Sequence, residues 1–265
     1  MDLRDRTVLL TGATGGIGHA IARACAAEGA KLVLTGRRTE VLAGLASELG
    51  AENLAVDLAD RAQLDALLDA HGEADVLIAN AALPATGLIT ELTPTQIDRM
   101  LDVNLRAPIM MAQRMVPGML ARGAGHLVFI SSLAGKVPAA HSSMYNATKF
   151  GMRGFAGALR EELHGTDVGV STIFPGFIRD AGMFVEADIE LPRGVGTRSP
   201  EDVASAVVRA IQKDVREVDV APLSMRAGVM VAGLAPELAS RFQRKLGGAD
   251  VAERLAAGQA SRRDG

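Results

Sequence analysis

Short apolar runs alternate with stretches of helical periodicity along most of the chain. An apolar run at 7–10 ends in the turn Thr11-Gly12-Ala13-Thr14-Gly15-Gly16-Ile17-Gly18, and an alanine-rich helical pattern carries on to Glu28. The alternation predicts further strands at 31–35, 53–56, 76–79, 126–130, 168–174 and 217–220. Helices are expected at 40–49, 61–70, from Pro94 toward Leu120, from Tyr145 to Leu163 and at 200–213. Asp60 reads as a helix cap, while Thr93-Pro94-Thr95-Gln96 supplies a cap, a first-turn proline and a reciprocal glutamine. Ser199-Pro200-Glu201-Asp202 opens another helix, and the helix toward Leu120 is expected to break or kink at Pro108 and Pro117. Val76-Leu77-Ile78-Ala79 is continuously apolar, as a strand buried on both faces should be.

Alternation with connections this short predicts an α/β, doubly wound (Rossmann) parallel sheet with helices on both faces. Neither a sequence repeat nor a linker rich in Pro, Gly or Ser divides the chain, so residues 1–265 are read as one domain. Two parts stand outside the alternation. A weakly patterned insertion at about 177–199 has the place of a substrate lid. A C-terminal helical extension at about 224–258 is interrupted at Pro236 and carries an apolar stretch from Val229 to Ala235.

Composition narrows the class. The chain is 48% hydrophobic and 22% charged, with a net charge of −3, and it has no basic stripe, so nucleic acid is not expected as a partner. The lone Cys25 cannot form an internal disulfide, the charged start does not resemble a signal peptide, and no apolar run spans a bilayer, so a cytoplasmic location is expected. His19, His71, His126, His141 and His164 lack ligand spacing, so no metal is expected.

A glycine turn between a first strand and a first helix has a mechanism. Gly12 permits the tight turn, Gly16 lets the backbone approach a pyrophosphate, and Gly18 lets the helix pack closely. The helix N-terminus then holds the phosphates. The second strand ends in Thr35-Gly36-Arg37-Arg38, where an NAD site would place a carboxylate. Arg37, helped by Arg38, is the candidate reader of a 2′-phosphate, which makes NADP the expected cofactor.

Tyr145 is the chain's one tyrosine, with Lys149 four residues on and Ser132 thirteen back. On a helix, Tyr145 and Lys149 share a face. An ammonium there should favour phenolate and pull the hydroxyl down from about 10.

With these motifs in order, the sequence resembles the short-chain dehydrogenase/reductase family over about residues 7–176. The resemblance rests on Thr11-Gly12-x-x-x-Gly16-x-Gly18, Asp57, Asn80-Ala81-Ala82, Asn104, then Ser132, Tyr145 and Lys149, and Pro175-Gly176. It implies a mostly seven-stranded parallel sheet, with the C-terminal helices as an addition. It also implies that Asp57 and Leu58 meet the adenine, Asn80 and Ala81 line the adenosine ribose, and Pro175, Gly176 and Ile178 flank the nicotinamide. Thr14 and Ile17 join the glycine-loop residues as cofactor contacts, and Tyr145 and Lys149 also touch the cofactor. In the implied mechanism Tyr145 is the general acid/base, Ser132 bonds the reacting oxygen, Lys149 tunes Tyr145 and holds the ribose, and Asn104 places a proton-relay water.

Two positions depart from the pattern. Ala82 replaces a usual glycine, and Asp180 stands where the family commonly has a threonine that donates near the cofactor. An ionised aspartate cannot donate and would repel a pyrophosphate.

The expected activity is hydride transfer between NADP(H) and a small-molecule carbonyl or secondary alcohol. Leu133, Met144, Phe177, Met183, Phe184 and Val185 suggest a partly apolar pocket. The alternatives are a 3-oxoacyl-carrier reductase of the same family and a non-catalytic NADP-binding sensor or scaffold. The C-terminal apolar stretch could cover the pocket, pair subunits or touch a membrane. A homodimer or homotetramer is the first expectation, and 261–265 are expected to be disordered.

Overall fold

The computed structural model describes residues 1–84, 86–180, 196–237, 253 and 256–259. Seven strands form one parallel sheet in the order β3-β2-β1-β4-β5-β6-β7. They are β1 (Thr7–Leu10), β2 (Lys31–Gly36), β3 (Glu52–Ala55), β4 (Val76–Ala79), β5 (Gly125–Ile130), β6 (Val168–Pro175) and β7 (Glu217–Val220). The helices are α1 (Gly16–Ala27), α2 (Thr39–Leu49), α3 (Arg61–His71), α4 (Pro94–Leu101), α5 (Ala107–Arg122), α6 (Ser143–Glu162), α7 (Pro200–Lys213) and α8 (Leu223–Leu234).

Side chains alternate across the pleat, so each central strand feeds two cores. Val8, Leu10, Val76, Ile78, Val128 and Ile130 pack with Ile21 of α1, Leu42 of α2 and Val207 of α7. Leu9, Leu77, Leu127 and Phe129 face the other way, onto Leu64 of α3, Met111 of α5 and Met152 of α6. Helices therefore cover both faces, and the strand order reverses between β1 and β4, where such sheets open a ligand crevice at their carboxyl ends.

The helix-start signals hold. Asp60 accepts from the amides of Ala62 and Gln63, and capping boxes close at Thr93–Gln96 and Ser199–Asp202. The break expected near the prolines falls elsewhere. Residues Asp102–Arg106 form a π-helical turn, Pro108 sits in the first turn of α5, and α5 runs unbroken through Pro117. Met115 and Met119 on either side of Pro117 are fully buried, so packing overrides the local cost of the proline.

Outside the alternation, the two ends of the expected lid are pinned together. Ile178 bridges Arg198, with hydrogen bonds from Arg179 N–H to the Arg198 carbonyl (2.8 Å) and from Arg198 N–H to the Phe177 carbonyl (3.0 Å). Met183, Phe184 and Val185, and the expected disorder at 261–265, lie outside the described residues. α8 ends before Pro236, and the expected continuation to about 258 also falls mostly outside them. No residue of α8 is fully buried, and Leu223, Met230, Val231 and Leu234 are exposed. Among the described residues, no helix is long and apolar enough to cross a membrane, and no cluster of His, Cys, Asp or Glu could hold a metal ion.

Candidate active site

At the end of β1 the chain turns through Gly12, whose φ of +67° is left-handed and favours glycine. A Cβ there would lie 2.7 Å from Ala81 Cα, so the loops after β1 and β4 meet with no room for a side chain. Gly18 is packed as closely, since its Cβ would stand 2.2 Å from the Gly12 carbonyl oxygen. Asn80 seals the junction, donating through Nδ2 to the carbonyls of Thr11 (3.1 Å) and Gly12 (3.0 Å). The Thr11 hydroxyl accepts from the amides of Asn80 and Ala81, both at 3.1 Å. Gly15 caps α1 without a side-chain hydrogen bond, and Gly16 is exposed. The first-turn amides of α1 thus carry no side-chain cap, an arrangement suited to a phosphate.

Beside this loop, Thr14 packs over Gly36, and its carbonyl accepts from the Arg38 guanidinium. Arg38 is therefore tied to the glycine loop, while Arg37 is exposed at the end of β2. Asp57, after β3, accepts from Arg99 of α4 at 2.8 Å and from Ala59 N–H at 3.0 Å. Burial opposes ionisation of Asp57, but the Arg99 bond, the Ala59 amide and the charges of Arg99 and Arg37 together hold its carboxyl below the usual range. Arg37 thus lies within electrostatic reach of Asp57. Leu58 is buried beneath, and Ile17 is half-buried on α1.

The candidate reacting end gathers on α6 and the ends of β5 and β6. Ser132 follows β5, and its hydroxyl accepts from Ala134 N–H (3.2 Å) and lies 3.4 Å from the Pro175 carbonyl that closes β6. Tyr145 and Lys149 stand one turn apart on α6, as expected. Lys149 Nζ donates to the Ile130 carbonyl at 3.0 Å and lies 5.6 Å from the centre of the Tyr145 ring.

The electrostatics correct one expectation. Burial pushes the Tyr145 phenol up to about 12, only partly opposed by its hydrogen bond with Ser132. Burial also brings Lys149 down to about 8. Burial thus sets the direction of the phenol's shift, because desolvation penalises both charged forms, and Lys149 gives its hydrogen bond to Ile130.

Asn104 lies in the π turn and is 2% exposed. Its Oδ1 accepts from Leu83 N–H (2.7 Å) and its Nδ2 donates to the Leu83 carbonyl (3.0 Å). Both ends of the side chain are thus engaged in holding the loop after β4. Gly176 N–H continues the sheet to the Val220 carbonyl at 3.0 Å, and Ile178 is buried in the core. Asp180 turns outward: its side chain is 81% exposed beside Arg179, and its φ of +62° suits aspartate far better than a β-branched threonine.

Two contributors escaped the sequence reading. Asn146, between Tyr145 and Lys149, donates to the carbonyls of Ala134 (2.6 Å) and Val137 (3.1 Å) and accepts from Ala139 N–H (3.1 Å). It clamps the loop after Ser132 onto α6. An asparagine in a helix interior is a poor helix former, and that was the available signal. Arg99 bore no signal, since nothing local brings α4 to Asp57.

Residues 6–190 match the family described as short chain dehydrogenase. The chain belongs to this family and is an oxidoreductase by its fold and kinship. It is 37% identical over 225 residues to "Ketoacyl reductase HetN" of Nostoc sp., covering 82% of this chain and 78% of that protein. It is 32% identical over 265 residues to "Dehydrogenase/reductase SDR family member 7B" of Bos taurus, covering 91% of this chain and 81% of that protein. Among solved structures, the closed form of serine dehydrogenase complexed with NADP+ is 31% identical with a TM-score of 0.73, covering 82% of this chain and 95% of that one. A short chain dehydrogenase/reductase from Burkholderia phymatum in complex with NAD is 25% identical with a TM-score of 0.77, covering 90% and 96%.

Proposed function

We propose that this oxidoreductase moves a hydride between NADP(H) and a carbonyl or secondary alcohol, with Tyr145 as general acid/base. The observation that carries the reading is the hydroxyl pair of Ser132 and Tyr145, with Lys149 one turn further along α6. A nicotinamide dinucleotide supplies the hydride. The chain has a cradle that fits it: a glycine loop too tight for any Cβ at Gly12 and Gly18, and an uncapped α1 N-terminus.

Tyr145 keeps its proton at neutral pH, and in reduction it gives that proton to the carbonyl oxygen. Ser132 donates to the same oxygen as negative charge develops there. In oxidation the phenolate takes the alcohol proton, so raised pH favours that direction. Lys149 contributes a buried ammonium near the reacting end, and Asn104 acts by fixing the Leu83 loop. Arg37 reads the 2′-phosphate, with Asp57, Leu58, Asn80 and Ala81 at the adenosine end and Pro175, Gly176 and Ile178 at the nicotinamide. Because structural relatives were solved with NAD or NADH as well as with NADP, the NADP preference is read from Arg37 rather than from the fold.

A second reading, reduction of 3-oxoacyl chains, is favoured by the kinship to a ketoacyl reductase. Assays of NADPH with ketones and 3-oxoacyl thioesters, matched with NADP+ and secondary alcohols, decide between the two. Absence of turnover across the panel, or full activity in Tyr145→Phe, would overturn the proposal.

A further inference from the structure

The chain after β7 touches the candidate catalytic end of the sheet at two places. At one, Met225 and Val229 of α8 pack on Leu133, Phe174 and Ala221, and Leu133 directly follows Ser132. At the other, Thr86 Oγ1 donates to Gln259 Oε1 at 2.7 Å, a contact between residues 173 apart in sequence. Thr86 is 3% exposed and Gln259 1%. Burying polar side chains is unfavourable unless they are hydrogen-bonded, and this bond ties Gln259 to the loop after β4. The hydride-transfer residues give no reason for it.

Thr86 stands between two anchors. Upstream, Leu83 is held through both backbone polar groups by Asn104. Downstream, Gly87 N–H donates to the His141 carbonyl at 2.6 Å, and Gly87 bridges Ser142, the residue before α6. His141 has a left-handed φ of +55°, a conformation that surrounding contacts must hold for a residue other than glycine. The loop at 86–88 therefore joins the π turn to the start of the helix that carries Tyr145. Among the described residues, Gln259 is where the chain's far end meets that loop.

We propose that Gln259 is a positioning residue for the substrate end of the crevice. Through Thr86 it holds 86–88 against 141–142, so that Gln259 helps seat the carbonyl substrate without touching the reacting atoms. The inference rests on the oxidoreductase reading above.

The test compares Thr86→Val, Thr86→Ser and Gln259→Ala in the full chain, with a chain ending at Glu253 as a second route should a side-chain variant misfold. Amide exchange at 86–88 and 141–145 is followed in the free protein. Kinetics use NADPH with ethyl 3-oxobutanoate as the ketone probe. Thr86→Val, Gln259→Ala and the shortened chain should exchange faster at both segments. They should raise the KM for the ketone about five- to tenfold, as expected for one lost buried hydrogen bond, with kcat and NADPH affinity nearly unchanged. Thr86→Ser keeps the donor hydroxyl and should behave as the parent chain.

Unaltered exchange or unaltered KM overturns the inference, as does a Thr86→Ser variant as impaired as Thr86→Val. Failure of the underlying reading looks different: the parent chain would turn over no ketone, or Tyr145→Phe would remain active.

Discussion

Lys149 Nζ lies 5.6 Å from the centre of the Tyr145 ring, yet its hydrogen bond goes to the Ile130 carbonyl at 3.0 Å. The ammonium is held at the strand end beside the ring, and burial drives each group toward its neutral form. Tyr145 stands at about 12 and Lys149 at about 8. At neutral pH Tyr145 therefore holds its proton, as the proposed reduction of a carbonyl requires.

Replacing Tyr145 by phenylalanine removes that proton while keeping the ring. Turnover should fall by about 10²–10⁴-fold. NADPH affinity, read by titrating cofactor fluorescence, should stay nearly unchanged, since the glycine loop and Arg37 lie elsewhere. A variant that keeps its turnover would remove Tyr145 from the chemistry.

Lys149 should leave a signature in the pH dependence of stability. Its folded value is below its unfolded one, so between about 8 and 10.5 the unfolded chain binds more protons than the folded chain. Stability from this group therefore rises with pH across that window, by about 3 kcal/mol, and the full cost of burying the charge is present below pH 8. Tyr145 works in the opposite sense only above pH 10, where the unfolded chain loses its phenolic proton first. Urea midpoints at pH 7.5 and 9.5 should show the rise, and Lys149→Met should flatten it. An equal slope in the variant would assign the rise to another group.

Arg37 is exposed at the end of β2, whereas Arg38 is bound to the Thr14 carbonyl. Arg37→Asp should lower the NADPH-to-NADH ratio of kcat/KM by about 10–100-fold, the worth of one charge-assisted contact made and then reversed. Arg38→Ala should weaken both cofactors alike, because it loosens the loop they share. Equal kcat/KM for the two cofactors in the parent chain would refute the 2′-phosphate role.

Asn104→Ala leaves the Leu83 amide and carbonyl without their side-chain partner in a buried setting. The cost should be about 2 kcal/mol, lowering Tm by about 5 °C. A thermal melt checks it, and an unchanged Tm would mean that the loop finds other partners.

Much of this fold is written locally. Strands 7–10 and 76–79 and the caps at Asp60, Thr93 and Ser199 could be read because periodicity and cap chemistry act over a few residues. Tyr145 and Lys149 were legible for the same reason, since helical spacing alone brings them together. Where the reading failed, the deciding force was not local. Packing of Met115 and Met119 carries α5 through Pro117, and the irregular turn falls at Asp102–Arg106 instead.

The sequence by itself determined the parallel α/β architecture, the tight glycine turn after β1 and the grouping of Ser132, Tyr145 and Lys149. Only the tertiary structure decided the electrostatic state of that set, because desolvation depends on what surrounds a group rather than on its neighbours in the chain. It alone paired Asp57 with Arg99, turned Asp180 to solvent and brought Gln259 to Thr86. These contacts join residues far apart in sequence, or set a side chain's exposure, and no periodicity encodes either.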